Sequence, residues 1–252
     1  MKNIAVRAAK AAGKVLLDNF GKIKTKTHKG HELGFVTNVD IAAEKKIFSV
    51  IRKKYPKHNI LSEEEGFIDN NSGYKWVIDP LDGTHNYIHS LPIFGTSIAL
   101  EHKGDVKLGV IYLPMLNQLF VAEKGNGAFL NGKRIKVSDT DELKHSMLLF
   151  EGSLHMQWDK KKEFLDKVAQ KVFRVRISGA ACFDLSSLAQ GTCDFHLAFA
   201  TNPWDVAAGF LLIREAGGKI TDFNGKDVDH YCKSFVASNG RLHKDILKLI
   251  KS

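Results

Sequence analysis

The apolar run Trp76-Val77-Ile78 stops at Asp79-Pro80-Leu81-Asp82-Gly83-Thr84. A strand that ends in two carboxylates, a turn glycine and a hydroxyl constrains the chain sharply, because the rest of the fold must meet those acids at the strand's end. An acidic cluster, Glu63-Glu64-Glu65, begins sixteen residues before Asp79. Far downstream, Pro203-Trp204-Asp205-Val206-Ala207-Ala208-Gly209 puts another carboxylate at the start of a helix. Hard oxygen ligands gathered from several elements suit Mg²⁺, which takes few carboxylates and keeps room for water and a substrate phosphate. The pattern points to metal-assisted phosphate chemistry.

Composition narrows the class. The 252 residues can build a large core, as one domain or two. Hydrophobic residues at 44% with 26% charged are ordinary for a globular protein, and no apolar stretch reaches the length of a membrane span. Lys10 and Lys14 interrupt the Ala-rich start, so no signal-peptide core is expected there. Cys182, Cys193 and Cys232 are odd in number and lack metal-ligand spacing, which predicts free thiols in a reducing cytoplasm. The net charge is +9, with short basic clusters at 22–29, 52–54 and 160–162. No aromatic-interleaved basic stripe accompanies them, so a solvated basic surface is the first reading and attraction of phosphorylated anions the second.

Periodicity organises the chain. Helices are predicted over 3–20 and 39–54, the second capped by Asn38 and ended by Pro56, with a polar loop or hairpin over 21–36 between them. Strands are expected at 74–79, 93–102, 106–113 and 118–123, and a hairpin over 125–137 around Asn131-Gly132. The second half alternates: strand 146–151, helix 159–171, strand 173–177, helix 180–190, strand 194–199, a helix from Asn202-Pro203 to Gly217-Gly218, strands 219–222 and 234–238, and a helix over 241–251. Such alternation predicts an α/β unit with a mixed or parallel sheet and covering helices. A seam is expected near residue 145, dividing an N-terminal α+β part from a C-terminal α/β part.

The residues allow two readings at several points. Asp79 and Asp82 can share one small volume, with Leu81 offering its carbonyl oxygen between them; the alternative is a capped turn. Glu63 and Asp205 would complete two adjacent sites, since bound cations remove the repulsion among clustered carboxylates. Gly83 and Thr84 suit close approach of a phosphate to backbone N–H groups. Ser178-Gly179-Ala180-Ala181 is a second such place, or a plain helix end capped by Ser178. Asp40 is either functional or a carboxylate favoured at a helix start. His85, His89 and His196 are possible substrate contacts. No His pair has zinc spacing, and no Ser-His-Asp triad can be assigned.

Three motifs in order carry a resemblance: Trp76-Val77-Ile78-Asp79-Pro80-Leu81-Asp82-Gly83-Thr84-His85-Asn86-Tyr87, then Trp204-Asp205-Val206-Ala207-Ala208-Gly209 with Glu215-Ala216-Gly217-Gly218, and the acidic Ser62-Glu63-Glu64. The chain resembles the inositol monophosphatase family of Mg²⁺-dependent, Li⁺-sensitive phosphatases from about Val6 to about His243. The resemblance implies a layered α-β-α-β-α sandwich of α/β (α+β) class and a phosphoric monoester hydrolase of a small phosphorylated alcohol. It implies Mg²⁺ held by Glu63, Asp79, the Leu81 carbonyl, Asp82 and Asp205. Glu63 and Thr84 position the attacking water, and Asp40 tunes Thr84. Gly83, Thr84, Gly179, Ala180, Ala181 and Asp205 contact substrate. Lys29 matches a lysine near the site, and Glu64 a contact to a third metal. The family also implies a homodimer. It includes fructose-1,6-bisphosphatases, histidinol-phosphate phosphatases and 3′-phosphoadenosine 5′-phosphate phosphatases. Some bacterial relatives associate with RNA polymerase, which keeps a non-catalytic regulatory role as an alternative. One departure stands out. Inositol-selective members carry a glutamate seven residues before the second-motif aspartate, and here that position is Ala198.

Overall fold

The computed structural model describes residues 1–22, 26–28 and 35–251. Helix α1 (Lys2–Asn19) and helix α2 (Asn38–Arg52) flank a short antiparallel pair, β1 (Lys26–His28) and β2 (Phe35–Thr37). Helix α1 buries Ala5, Ala8, Ala9, Ala12 and Leu16 on one face, and these small side chains let it lie close to its neighbours. Helix α2 is capped by Thr37 rather than by Asn38. The Thr37 hydroxyl accepts from the Val39 and Asp40 amides, and Asp40 closes the capping box by accepting from the Thr37 amide at 2.9 Å.

The first sheet contains β3 (Asn59–Ser62), β4 (Gly66–Ile68), β5 (Tyr74–Asp82), β6 (Gly95–His102), β7 (Asp105–Leu113), β8 (Gln118–Glu123), β9 (Gly127–Leu130) and β10 (Lys133–Ile135). Its eight strands run in the order β10-β9-β8-β7-β6-β5-β3-β4. Only β3 and β5 pair in parallel; the other ladders are antiparallel. The predicted hairpin forms β9 and β10, with Asn131 and Gly132 both at positive φ, as a two-residue turn of this kind requires. Strands β3 and β4 have no counterpart in the sequence reading, because their alternation is short and broken by the acidic cluster. A short helix, α3 (Thr84–Ile88), follows β5 directly.

The second sheet joins β11 (Met147–Phe150), β12 (Arg174–Arg176), β13 (Phe195–Ala198), β14 (Lys219–Thr221) and β15 (Phe235–Ser238) in the order β12-β11-β13-β15-β14. Strands β12, β11 and β13 are parallel, and β15 is antiparallel to both its neighbours, so the sheet is mixed as the alternating pattern predicts. The helices of this half are α4 (Trp158–Val168), α5 (Ala181–Ala189), α6 (Pro203–Glu215) and α7 (His243–Lys251).

Alternation along the strands builds the layers. Trp76, Ile78, Ile98 and Leu100 pack with Ala8, Ala12 and Ile47 of α1 and α2. Val77, Ala99 and Ile111 face the other way, into a core shared with α5, α6 and Leu149, Ala198 and Phe235 of the second sheet. Leu148, Phe150, Phe195 and Leu197 face outward again, onto Phe164 of α4 and Ile246 of α7. The result is the expected α-β-α-β-α sandwich. Helix α6 lies in its middle and is buried without a break from Val206 to Ile213, as a helix apolar on all sides must be. Its Val206, Phe210, Leu212 and Ile213 side chains each contribute about 1.5–3 kcal/mol, against about 1 kcal/mol for a helix cap. Packing therefore fixes α6, and with it Asp205 in its first turn.

Candidate active site

Strand β5 changes register against β6 between Asp79 and Asp82, so its last turn leaves the sheet. Leu81 is fully buried in the core, and the Thr84 hydroxyl donates to its carbonyl oxygen at 2.9 Å. Asp79 is buried and accepts from the Leu81 amide at 3.0 Å. Gly83 sits at φ 85°, and a β-carbon there would come within 2.9 Å of the Ile93 carbonyl oxygen. Only glycine fits both the left-handed backbone and the close approach.

The parallel pairing of β3 with β5 brings Glu63 beside this turn, where its amide donates to the Ile78 carbonyl at 3.2 Å. Asp82 reaches across to helix α5 and accepts from the Cys182 amide at 2.6 Å. Asp205 accepts from the Asn202 amide at 2.9 Å, in the first turn of α6. The predicted carboxylates thus meet from separate elements. Burial, followed by repulsion from Glu63, Asp82 and Asp205, holds the Asp79 carboxyl well above the usual range. Desolvation raises Asp82 despite hydrogen bonds from Cys182, Ala181 and Gly83, and desolvation with repulsion from Asp82 raises Asp205. Among the described residues, no group of three or more His, Cys, Asp or Glu side chains is already drawn into ligating geometry. The carboxylates are close enough to repel one another, and Asp79, Asp82 and Asp205 each accept from a backbone N–H group. An all-oxygen donor set under mutual repulsion fits a hard divalent cation, whose charge reverses each of these shifts.

Helix α2 serves this cluster twice. The Asp40 carboxyl, buried and raised chiefly by that burial, lies 3.1 Å from the Thr84 hydroxyl through the oxygen not used in the cap, so the one hydroxyl proton is shared between Asp40 and the Leu81 carbonyl. Asp40 therefore both closes the cap of α2 and reaches Thr84. Four residues on, Glu44 is also buried and accepts from the Glu65 amide at 3.3 Å, which ties the turn carrying Glu63 to the same helix. The sequence reading passed over Glu44. Its signal is an acid at i+4 from Asp40, on the face that Ala43 and Ile47 make apolar. Burial chiefly raises both Asp40 and Glu44, and the Glu64 charge adds a smaller push to each, so it lies in the same neighbourhood. Lys29 lies outside the described residues.

A cavity of about 470 Å³ opens beside the turn. Of the predicted residues, Asp82, Gly179, Ala180, Ala181 and Asp205 line it, while Glu63, Asp79, Leu81, Gly83, Thr84 and Asp40 do not. Ser178 does not cap α5. Ala180 is the N-cap, and the Ser178 hydroxyl accepts from the Ala180 amide at 3.1 Å and donates to Asp184 at 2.5 Å. The anion at this helix end is Asp82 itself, from a hundred residues away. Asn86, within the first motif, has a structural role that local pattern does not show. Its amide donates to the Ile93 and Ser178 carbonyls, both at 2.8 Å, and pins the 178–181 segment to α3. His85 lines the cavity and stacks loosely on His89, with ring centroids 4.5 Å apart. His196 lies in the cavity wall beside Ala198.

The opposite wall depends on a residue read from sequence as part of a solvated basic cluster. Lys161 is fully buried instead, paired with Glu151 at 2.8 Å and donating to the Ser153 carbonyl at 2.5 Å. Glu151 also accepts from the Phe199 amide at 2.9 Å and the Ala200 amide at 3.4 Å. Helix amphipathicity explains the difference: Lys161 falls on the same face of α4 as Phe164 and Val168, so its stem enters the core.

Comparison with known proteins agrees with this architecture. Residues 1–252 match the inositol monophosphatase family. A "Fructose-1,6-bisphosphatase/inositol-1-monophosphatase" of Thermotoga maritima is 36% identical over 248 residues, covering 98% of this chain and 94% of the relative. "Nus factor SuhB" of Escherichia coli K12 is 40% identical over 252 residues, with coverage of 98% and 94%. The crystal structure of the extragenic suppressor protein SuhB from Bartonella henselae superimposes with a TM-score of 0.95 at 35% identity, covering 99% of this chain and 98% of that one. Proteins of this kind use metal ions, which suits the clustered carboxylates. With the whole chain matched, the sandwich shared and the acids gathered at one turn, the chain belongs to the inositol monophosphatase family of phosphatases.

Proposed function

We propose that the protein is a Mg²⁺-dependent phosphomonoesterase that hydrolyses a small phosphorylated alcohol. The observation that carries this reading is the convergence of acids from separate elements: Asp82 and Asp205 line one cavity, and buried Asp79 lies next to them and to Glu63, close enough for their charges to raise its carboxyl further above the usual range, after burial. Glu63, Asp79, the Leu81 carbonyl, Asp82 and Asp205 are the residues that would hold Mg²⁺, and Mg²⁺ there would supply Lewis acidity toward the attacking water and charge neutralisation for the leaving alkoxide. Thr84 and Glu63 orient the water. Asp40 anchors the Thr84 hydroxyl, so that oxygen keeps a fixed direction. The phosphate seats between the Gly83–Thr84 turn and the Gly179–Ala181 segment. Its three cysteines stand as free thiols, which suits a reducing cytoplasm, and the resemblance to the family supports assembly as a homodimer.

Initial rates of phosphate release, with Mg²⁺ and with chelator, test this reading over inositol 1-phosphate, fructose 1,6-bisphosphate, histidinol phosphate and 3′-phosphoadenosine 5′-phosphate. Release from at least one substrate, abolished by chelator, is the expected result. Release from none of them with Mg²⁺ present overturns the reading and leaves the non-catalytic regulatory alternative, which the name of the relative "Nus factor SuhB" suggests.

Two further results are expected. Li⁺ is small and hard and enters an oxygen site without matching the charge of Mg²⁺, so added Li⁺ inhibits while the same concentration of Na⁺ does not. Equal effects of the two salts would reduce the result to ionic strength. Ala198→Glu restores a hydroxyl acceptor in the cavity wall, where a charged hydrogen bond is worth roughly 1.5–3 kcal/mol. The ratio of kcat/KM for inositol 1-phosphate over glycerol 2-phosphate should rise about tenfold or more in that variant. An unchanged ratio in a folded variant would show that position 198 does not read the alcohol.

A further inference from the structure

Helix α2 carries two buried acids, Asp40 and Glu44, four residues apart. That spacing puts them on one face of the helix, separated by about 6 Å along its axis. Asp40 lies 3.1 Å from the Thr84 hydroxyl, on the turn that follows β5. Glu44 meets the other turn of the site. One of its oxygens accepts from the Glu65 amide at 3.3 Å. The same turn is tied at its start, where the Glu63 amide donates to the Ile78 carbonyl, one residue before Asp79. Glu63 therefore sits in a turn held at both ends, on β5 through its own amide and on α2 through Glu65. Ser62, the last residue of β3, is also fully buried. Its hydroxyl stands beside the Glu44 carboxyl without completing a hydrogen bond. Burial raises the Glu44 carboxyl above the usual range, and the Ser62 hydroxyl and the Glu65 and Glu64 amides pull against that rise. The neighbours of Glu44 on α2, Ala43, Ile47 and Phe48, are buried and apolar. A carboxylate in that company is costly unless it is hydrogen-bonded, so its contacts with the 62–65 turn are what hold it there.

We infer that Glu44 is a positioning residue for the metal site: by holding the Glu65 amide it sets the place of Glu63, and with Asp40 it makes α2 a strut between the Glu63 turn and the Thr84 turn. The inference rests on the phosphatase reading and names a residue which that reading does not use. Glu63 and Thr84 are the two groups that orient the water there, and one turn of α2 spaces the acids that hold them. Glu44 is not among the residues that line the cavity, so it acts through the turn and not on substrate. It acts by reach rather than by charge, because the contact it makes is with a backbone amide.

Two conservative variants separate reach from charge. Glu44→Gln keeps the length and an acceptor oxygen and removes the charge. Glu44→Asp keeps the charge and is one carbon shorter, so it draws back from the Glu65 amide. Mg²⁺ binding to each protein is measured by calorimetry with no substrate present. Glu44→Asp should weaken that binding by about 10–100-fold, the usual loss when a contact that orients a metal ligand is removed, while Glu44→Gln stays within about threefold of the parent. Glutamine losing as much as aspartate, or aspartate binding like the parent, overturns the proposal. A Glu44 that served only the fold would lower the melting temperature of both variants and leave their Mg²⁺ affinity alone, which also overturns it. Hydrogen exchange at the Glu65 amide, followed by NMR in the parent protein, needs no variant. It should be slow, and exchange as fast as in an open loop overturns the assignment even if neither variant folds. A parent that neither binds Mg²⁺ nor releases phosphate removes the phosphatase reading itself, which parent-like binding in Glu44→Asp would not.

Discussion

Asp82→Asn is expected to lower phosphatase turnover by roughly 10²–10⁴-fold at saturating Mg²⁺, the equivalent of the several kcal/mol that metal charge stabilisation supplies. The substitution changes no volume, and an asparagine oxygen can still accept from the Cys182 amide at the start of α5. The fold therefore survives. Without metal, the variant should melt no lower than the parent, because one of the charges that raise Asp79 and Asp205 has gone. Activity and stability then move independently, as they must if the carboxylates are arranged for a cation rather than for the fold. Near-parental turnover, or a variant lost to unfolding, would sink this assignment.

The second large effect concerns stability. Lys161→Met leaves Glu151 half-satisfied in the interior, and breaking a buried pair from one side costs about 3–5 kcal/mol. For a chain of this size that is a fall in Tm of roughly 6–20 °C. Methionine keeps the length and apolar body of the lysine stem, so packing on α4 is little changed. Glu151→Gln in the Lys161→Met background should recover much of the loss, since an amide is cheaper to leave unpaired than a carboxylate and its oxygen still accepts from the Phe199 amide. Paired melting curves of the two single variants and the double variant separate the pair from its parts. A Lys161→Met protein melting within about 2 °C of the parent would mean that the pair contributes little.

The same residue shows where reading along the chain stopped. Lys160, Lys161 and Lys162 are chemically identical in sequence, and a run of three lysines reads as a wet surface. Lys161 is separated from its neighbours only by helix phase and by Glu151, which arrives from β11. Ser178 is similar. Its place before a helix predicts a cap, but the hydroxyl turns to Asp184, and the helix end is met by a carboxylate from β5. Asn38 lost the cap of α2 to Thr37, because Asp40 three residues on closes the box with Thr37. Glu44 went unread because a lone acid in a helix normally faces water, and its partner lies in a turn that local pattern did not reveal.

The sequence by itself determined most of the elements and the chemistry. Strand alternation and helical periodicity are local, so the main helices and strands and their order follow from them, while the five layers followed only from the resemblance that the motifs carry. The residue types at 63, 79, 82 and 205 likewise specify hard oxygen donors wherever the fold puts them. Only the tertiary structure decided what each acid touches: Asp40 on Thr84, Asp82 on the first turn of α5, Glu44 beneath the Glu63 turn, and Glu151 on buried Lys161. Each of these contacts joins residues from different elements. Their partners are set by how the layers stack, and by which polar groups lose water when they do, and neither is written in any local stretch of the chain.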